Sequence, residues 1–312
     1  MADLELTVIR ADVLCTGVRS IEFAAPDGRR LPSFTPGSNI AISYADGQRN
    51  SYSLTGPALS PESYSISVLL NEDGRGGSRW AHQLPVGSTV VVSRPRSAFP
   101  PILTAKHHVF IAGGIGVTPI LSHVRAAVEW GRSFEVLYSF REGTGAHLDE
   151  LRELCGDRLT TFTSQVDLWR HLSPALLDQP IGSHLYVCGP VPMIEAVTSA
   201  AADAGWNDAR VHSEAFGVGA LDPGSPFAAT LALSGKRVDV ASGTSLLEAL
   251  LQSGTSVANL CRQGVCGECR VPVRSGAIEH RDIYLTADEK AAGDCMMACV
   301  SRAADTELEL EL

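Results

Sequence analysis

Four cysteines constrain this chain more than any other feature. Cys261, Cys266 and Cys269 are separated by four and then two residues, and Cys299 follows after 29 more. A two-iron cluster is small, so three of its thiolates must come from one tightly folded loop and the fourth from a separate segment. The spacing is the plant-type pattern for a [2Fe–2S] cluster. Gly264 and Gly267 lie inside the loop, where the backbone must fold closely around sulfide and present N–H groups. The alternative is zinc. Structural zinc sites pair one Cys-x2-Cys with a second one or with histidines, whereas here the second half supplies Cys299, with Cys295 four residues earlier. Cys295, Met296 and Met297 read as core packing. Eight cysteines in a reducing compartment are not disulfides.

The 312 residues are too many for one ordinary core and imply two or three domains. A net charge of −10 argues against a nucleic-acid partner. The acid is unevenly placed: residues 1–103 hold nine basic and nine acidic residues, residues 104–222 eight and fourteen, and residues 223–312 eight and twelve. The N-terminal third is therefore where anion binding is expected. The start, Met1 to Glu5, has neither a basic nor an apolar leader region, and no apolar run approaches the roughly 20 residues that span a bilayer. The expectation is a soluble, cytoplasmic monomer.

Residues 1–100 read as all-β, with short β-prone runs at 6–10, 40–44, 64–70 and 89–93 broken by Gly, Pro, Asn and Asp. One short helical turn is expected near Ser78–Gln83. This pattern predicts a small antiparallel barrel. From Lys106 the texture changes to alternating strands (108–112, 134–140, 159–163, 184–187) and helices (120–130, 148–155, near 174–177, 192–204), which implies a parallel sheet. Residues 217–226 are rich in Gly, Pro and Ser and read as a linker. Two strands, a helix at 245–252, the cysteine loop and further strands complete the chain. The boundaries expected are 1–103, 104–222 and 223–312.

Gly113-Gly114-Ile115-Gly116-Val117-Thr118-Pro119 joins a strand to a helix. Amides at a helix N-terminus bind pyrophosphate, although Pro119 stands where the dinucleotide fingerprint needs its last Gly; a mere tight turn is the other reading. Cys188-Gly189-Pro190 follows a later strand and Met193 opens the next helix. Both motifs lie at the carboxyl edge of the sheet, where ligands bind in open α/β folds. A small, soft Cys188 side chain can pack on a nicotinamide ring; the alternative is a buried structural thiol. In the barrel, Arg49-Asn50-Ser51-Tyr52-Ser53-Leu54 sets an aromatic ring beside hydroxyls with Arg49 close by, a set that can cover a flavin and hold its phosphate. Gly74-Arg75-Gly76-Gly77-Ser78 can form an anion nest.

Together these segments, with His212-Ser213-Glu214-Ala215-Phe216, resemble the phthalate dioxygenase reductase and vanillate demethylase reductase family over essentially the whole chain. The resemblance implies an FMN-binding antiparallel β-barrel, an α/β nicotinamide domain and a C-terminal α+β β-grasp ferredoxin, in that order. It implies an NADH-dependent reductase that passes electrons through FMN and a [2Fe–2S] cluster to a partner oxygenase, expected to be Rieske-type. A cytochrome P450 or other non-Rieske acceptor is the alternative, and a cluster-based redox sensor a further one. Position by position, Tyr52 would lie along the flavin, Ser53 would hydrogen-bond the ring, and Ser51, Val68 and Leu69 would line it. Gly76, Gly77 and Ser78 would hold the FMN phosphate. Thr118 would face the flavin, Gly113, Gly114 and Gly116 would approach the NADH pyrophosphate, and Cys188, Gly189, Pro190 and Met193 would surround the nicotinamide. Phe216 would stack where nicotinamide enters. Apart from the resemblance, Arg141 follows the second strand of the domain and can meet a 2′-phosphate, with Glu142 the candidate ribose contact, so NADPH is the alternative to the expected NADH. Cys261, Cys266, Cys269 and Cys299 would hold the cluster. Two departures stand out. Asn50 replaces the family's usual Arg two residues before the Tyr, so Arg49 is expected to supply the phosphate contact. Ala258-Asn259-Leu260 replaces the more usual Pro-aromatic-Ser before the cluster loop.

Overall fold

The structure is a computed structural model that describes residues 3–44, 48–74, 76–97, 99–178, 181–216, 224–259, 264, 267–282 and 284–312. The chain divides into two compact units, Met1–Phe216 and Gly217–Leu312.

The first unit begins with β1 (Leu4–Cys15), β2 (Val18–Ala24), β3 (Ser38–Ser43), β4 (Arg49–Ser53), β5 (Ser63–Leu69), α1 (Gly77–Gln83), β6 (Thr89–Val92) and β7 (Arg96–Ser97). The strands pair in the order β4-β3-β6-β1-β2-β5, with β7 beside β3. A bridge between Leu54 and Ile66 joins the two edges, so the sheet closes into the expected antiparallel barrel. Its alternating inward residues, among them Leu6, Ile21, Phe23, Ile40, Ile42 and Ile66, are at most 1% exposed.

A parallel sheet follows, built from β8 (His107–Gly113), β9 (Phe134–Ser139), β10 (Leu159–Phe162), β11 (Ser183–Gly189) and β12 (Val211–Ala215). The connecting helices are α2 (Val117–Glu129), α3 (Leu148–Cys155), α4 (Gln165–Leu177) and α5 (Val191–Asp203). The strand order is β10-β9-β8-β11-β12, so the topology switches direction between β8 and β11. That switch point puts Gly113–Gly116 and Cys188–Pro190 side by side at the carboxyl edge. One expectation needs correction. The helix expected near 174–177 runs the full 13 residues of α4, with Pro174 inside its last turns and Leu168, Leu172 and Leu176 buried at four-residue spacing. The barrel and the parallel sheet also share one core, because Val18 and Phe99 pack with Phe110, Val117 and Tyr138. Two of the three expected domains therefore behave as one compact unit.

The second unit holds β13 (Phe227–Leu231), β14 (Arg237–Val240), α6 (Leu246–Gln252), β15 (Arg270–Ser275), β16 (Ile278–Glu279), α7 (Ala287–Ala292), β17 (Cys295–Met297), β18 (Arg302–Ala303) and β19 (Glu307–Leu310). Its main sheet, β14-β13-β19-β15-β17, is mixed: β13 and β19 run parallel and the other pairs antiparallel. Leu246, Leu247 and Leu250 of α6 are buried against it, the β-grasp arrangement. Both short helices start with a reciprocal capping box, Ser245 with Glu248 and Thr286 with Glu289. Of the expected linker, residues 217–223 lie outside the described residues.

Candidate functional site

On the barrel wall, strand alternation sorts the candidate residues into two sets. Asn50 and Tyr52 lie in register with Ile42 and Ile40 on the core side, whereas Arg49, Ser51 and Ser53 share the opposite face. Asn50 Nδ2 donates to the Tyr52 hydroxyl at 3.3 Å. Burial pushes that phenol up to about 12, with the Asn50 bond opposing part of the rise. The Ser51 and Ser53 hydroxyl oxygens are both buried without a hydrogen-bond partner. A buried hydroxyl left unmade is costly, and two on one face suit the polar rim of a flavin.

Three expectations change here. Arg49 pairs with Asp3 and lies on the face away from the glycine nest. Asn50 takes the neighbouring place instead: a side chain built on Gly77 would lie 2.1 Å from Asn50 Nδ2. Ser78 does not present its hydroxyl, which donates to the Asn71 carbonyl at 3.1 Å and accepts from the Asn71 amide at 3.0 Å. Gly76 adopts φ 99 as the N-cap of α1, and Arg75 lies outside the described residues. Val68 is 1% exposed in the barrel core and its carbonyl meets His82 Nε2 at 2.8 Å, so Leu69, at 45% exposure, is the one of the pair open to a ligand.

At the switch point the glycines have different jobs. A side chain on Gly116 would meet the Cys188 carbonyl at 2.3 Å, and one on Gly113 would meet Met193 Sδ at 2.5 Å. These two glycines let the first turn close on Cys188-Gly189-Pro190. Gly114 has φ +53 and nothing within 4 Å of its missing side chain, so it alone faces open space at the head of α2. Thr118 is buried, and its hydroxyl donates to the Ile115 carbonyl at 3.0 Å. Cys188 is fully buried; burial and then Glu214 push its thiol well up, so it stays protonated. Phe216 packs at the rim of the same core. Arg141 is exposed just beyond β9, its carbonyl accepting from the Thr144 amide at 2.9 Å.

Glu214 carries no expectation from the sequence. It lies in register with Cys188, is 6% exposed, and leaves Oε2 buried without a partner. Burial pushes its carboxyl up to about 8, so it is largely neutral at pH 7. The signal available was a lone carboxylate at the carboxyl end of a sheet strand, two residues before Phe216.

In the second unit, Cys269 and Cys299 are 3% and 4% exposed, and the Gly264 amide donates to Cys299 Sγ at 3.3 Å. Cys261 and Cys266 lie outside the described residues; among the described residues no three side chains form a metal-holding group. Gly264 has φ +73 and a side chain there would meet Val300 at 2.6 Å; Gly267 has φ +78 and lies 2.3 Å, by the same measure, from the Tyr284 ring. Gly264 and Gly267 are hemmed in as closely as a small cluster requires, and the Gly264 amide already points at the Cys299 sulfur, so the described residues fit [2Fe–2S]. Cys295, Met296 and Met297 are buried core residues, as expected.

Residues 230–304 match the family model of the 2Fe-2S iron-sulfur cluster binding domain, and residues 89–211 that of the dimethylamine monooxygenase subunit DmmA-like N-terminal domain. The chain is 38% identical over 317 residues to the heme-dependent oxidative N-demethylase beta subunit of Ectopseudomonas mendocina, covering 100% of this chain and 99% of that one. The solved phthalate dioxygenase reductase, a modular structure for electron transfer from pyridine nucleotides to [2Fe–2S], superposes with a TM-score of 0.86 at 32% identity, covering 99% of this chain and 98% of that one. An intact type IV self-sufficient cytochrome P450 monooxygenase matches at TM-score 0.75 and 33% identity, over 99% of this chain and 41% of that one. Fold and cluster site define an iron–sulfur oxidoreductase. The chain belongs to the phthalate dioxygenase reductase family, and its relatives include reductase subunits of oxygenase systems. Among the described residues no helix is long and apolar enough to cross a membrane.

Proposed function

We propose that this protein takes electrons from NADH and delivers them singly to a partner oxygenase in the cytoplasm. The domains proposed are an FMN barrel (1–103), a nicotinamide domain (104–222) and a ferredoxin (223–312). The observation that carries the reading is the meeting, in one chain, of orphaned hydroxyls on the barrel wall, an open glycine turn at a sheet switch point, and an amide-to-sulfur contact in a plant-type cysteine loop. When bound, FMN converts hydride reduction into one-electron steps that a [2Fe–2S] cluster can carry.

The chain's own residues position and shield. Ser51 and Ser53 Oγ would meet the flavin rim. The Gly114 amide and the α2 N-terminus would receive pyrophosphate, while Arg141 would lie at the ribose end. Cys188, uncharged and soft, would pack on the nicotinamide beside Pro190, Gly189 and Met193. Glu214 Oε2 holds a proton next to that pocket and can donate a hydrogen bond there. Cys261, Cys266, Cys269 and Cys299 would hold the cluster.

The acceptor is an oxygenase component of an aromatic or amine hydroxylation or demethylation system, with Rieske-type placed first. A heme acceptor is the second reading, favoured by the names of the N-demethylase and P450 relatives. Reduction of a purified Rieske oxygenase against a purified heme oxygenase decides between them. The reductase reading itself is tested by Cys266→Ser, which should abolish reduction of one-electron protein acceptors and leave NADH bleaching of the flavin intact. Loss of both would contradict it.

A further inference from the structure

The first unit contains a hydrogen-bonded chain that the relay above does not use. Ser67, on β5, is 5% exposed and its Oγ lies 2.8 Å from His147 Nε2. The other ring nitrogen, Nδ1, lies 3.1 Å from Glu150 Oε2. Glu150 Oε1 in turn accepts from Arg125 on α2. A carboxylate on Nδ1 fixes the tautomer, so Nδ1–H donates to Glu150 and the Ser67 hydroxyl donates to Nε2. Ser, His and acid in series is also a hydrolase arrangement, but Ser67 sits mid-strand opposite Ser20, too buried to meet an acyl substrate.

What the chain joins is informative. His147 closes a loop that begins at Arg141, the residue proposed for the ribose end. The loop is held internally: Thr144 Oγ1 donates to the Arg141 carbonyl at 2.8 Å, and Tyr138 donates to the Ala146 carbonyl at 3.2 Å. A side chain on Gly145 would lie 2.9 Å from the Phe140 ring. On the barrel side, Ser67 immediately precedes Val68 and Leu69. On the helix side, Arg125 belongs to α2, whose head is the glycine turn. His147 itself is left-handed, φ 57 and ψ 19, one of two non-glycine residues with positive φ among the described residues. Such strain persists where surrounding contacts over-determine it, and it collects at functional sites.

We infer that the Ser67–His147–Glu150 tether is a positioning element for hydride transfer, fixing the nucleotide-side loop 141–147 to the flavin-side strand β5 so that nicotinamide and flavin meet at one separation. The inference rests on the NADH–FMN reading given above. His147 touches neither reactant; it acts through the loop and the strand.

The test uses the full-length, FMN-loaded protein and three variants: Ser67→Ala, which leaves the backbone alone, His147→Asn, which tolerates the left-handed conformation but cannot span from Ser67 to Glu150, and the double variant. Stopped-flow bleaching at saturating NADH gives the limiting rate, and the difference spectrum of oxidised flavin on adding NAD+ reports how the two rings sit. All three variants should lose limiting rate by the same factor, about tenfold or more. They should also show a smaller difference spectrum, with FMN content and the NAD+ dissociation constant unchanged. Wild-type rates and spectra in all three overturn the inference. So does a loss that merely follows FMN content or the thermal midpoint, which makes the tether structural. If the wild type itself binds no flavin or is not bleached by NADH, the NADH–FMN reading fails and the inference falls with it.

Discussion

Glu214 shows how burial creates a functional group that composition conceals. Its carboxyl, ordinarily near 4.5, is pushed up to about 8 by desolvation. Between those values the unfolded chain has released the proton and the folded chain keeps it, so stability falls as pH rises through the window. The buried imidazoles act in the opposite sense below 6.5, because burial lowers His123 to about 3 and His212 to about 4. Between pH 6.5 and 8 the Glu214 contribution therefore stands clear, at about 2 kcal/mol for a group titrating at 1.4 kcal/mol per pH unit. Urea unfolding across that range should show the decline in the wild type and a flatter profile in Glu214→Gln. Equal slopes would mean that Glu214 is not held neutral. Nothing local in His212-Ser213-Glu214 announces this; the burial comes from packing between strands far apart in sequence. Arg49 is a different lesson. Strand alternation alone puts it on the face opposite Asn50 and Tyr52, a placement legible from the period of two.

At the scale of elements, two glycines of one turn separate by what surrounds them. Gly116→Ala would drive a methyl into the Cys188 carbonyl, whereas Gly114→Ala meets open space and only the left-handed backbone penalty. Thermal unfolding should show Gly116→Ala the more damaging of the two, with Gly114→Ala costing about 1–2 kcal/mol; the reverse order would contradict the packing described. Helix α1 is pinned from behind. Arg19 donates to the Ala81 carbonyl at 3.2 Å, the Leu84 carbonyl at 3.0 Å and the His82 carbonyl, covering the helix C-terminus. Arg19→Ala should destabilise this helix by about 1–3 kcal/mol and weaken FMN retention, measured by titrating the apoprotein with FMN. Unchanged affinity would detach α1 from the flavin site. The sequence showed most elements because periodicity and turn residues are local. It hid α4, since Pro174 reads as a helix opening although its place in the last turns is tolerated, and it hid the Ser67–His147 bond, which spans 80 positions.

For the whole molecule, the plant-type cysteine spacing was legible because a cluster dictates it. The fusion of barrel and parallel sheet into one unit was not, because Val18 and Phe99 reach that shared core only after folding. As a whole the molecule is a relay of NADH, flavin and cluster within one chain. Anaerobic titration of the purified protein with NADH, followed by visible absorption and electron paramagnetic resonance, tests it most directly. Flavin bands and a [2Fe–2S] shoulder should both bleach, a reduced-cluster resonance should appear, and the titration should saturate at about 1.5 NADH per chain, three electrons in all. A protein without flavin bands that contains stoichiometric zinc, or a flavin that bleaches with no cluster signal, would contradict it.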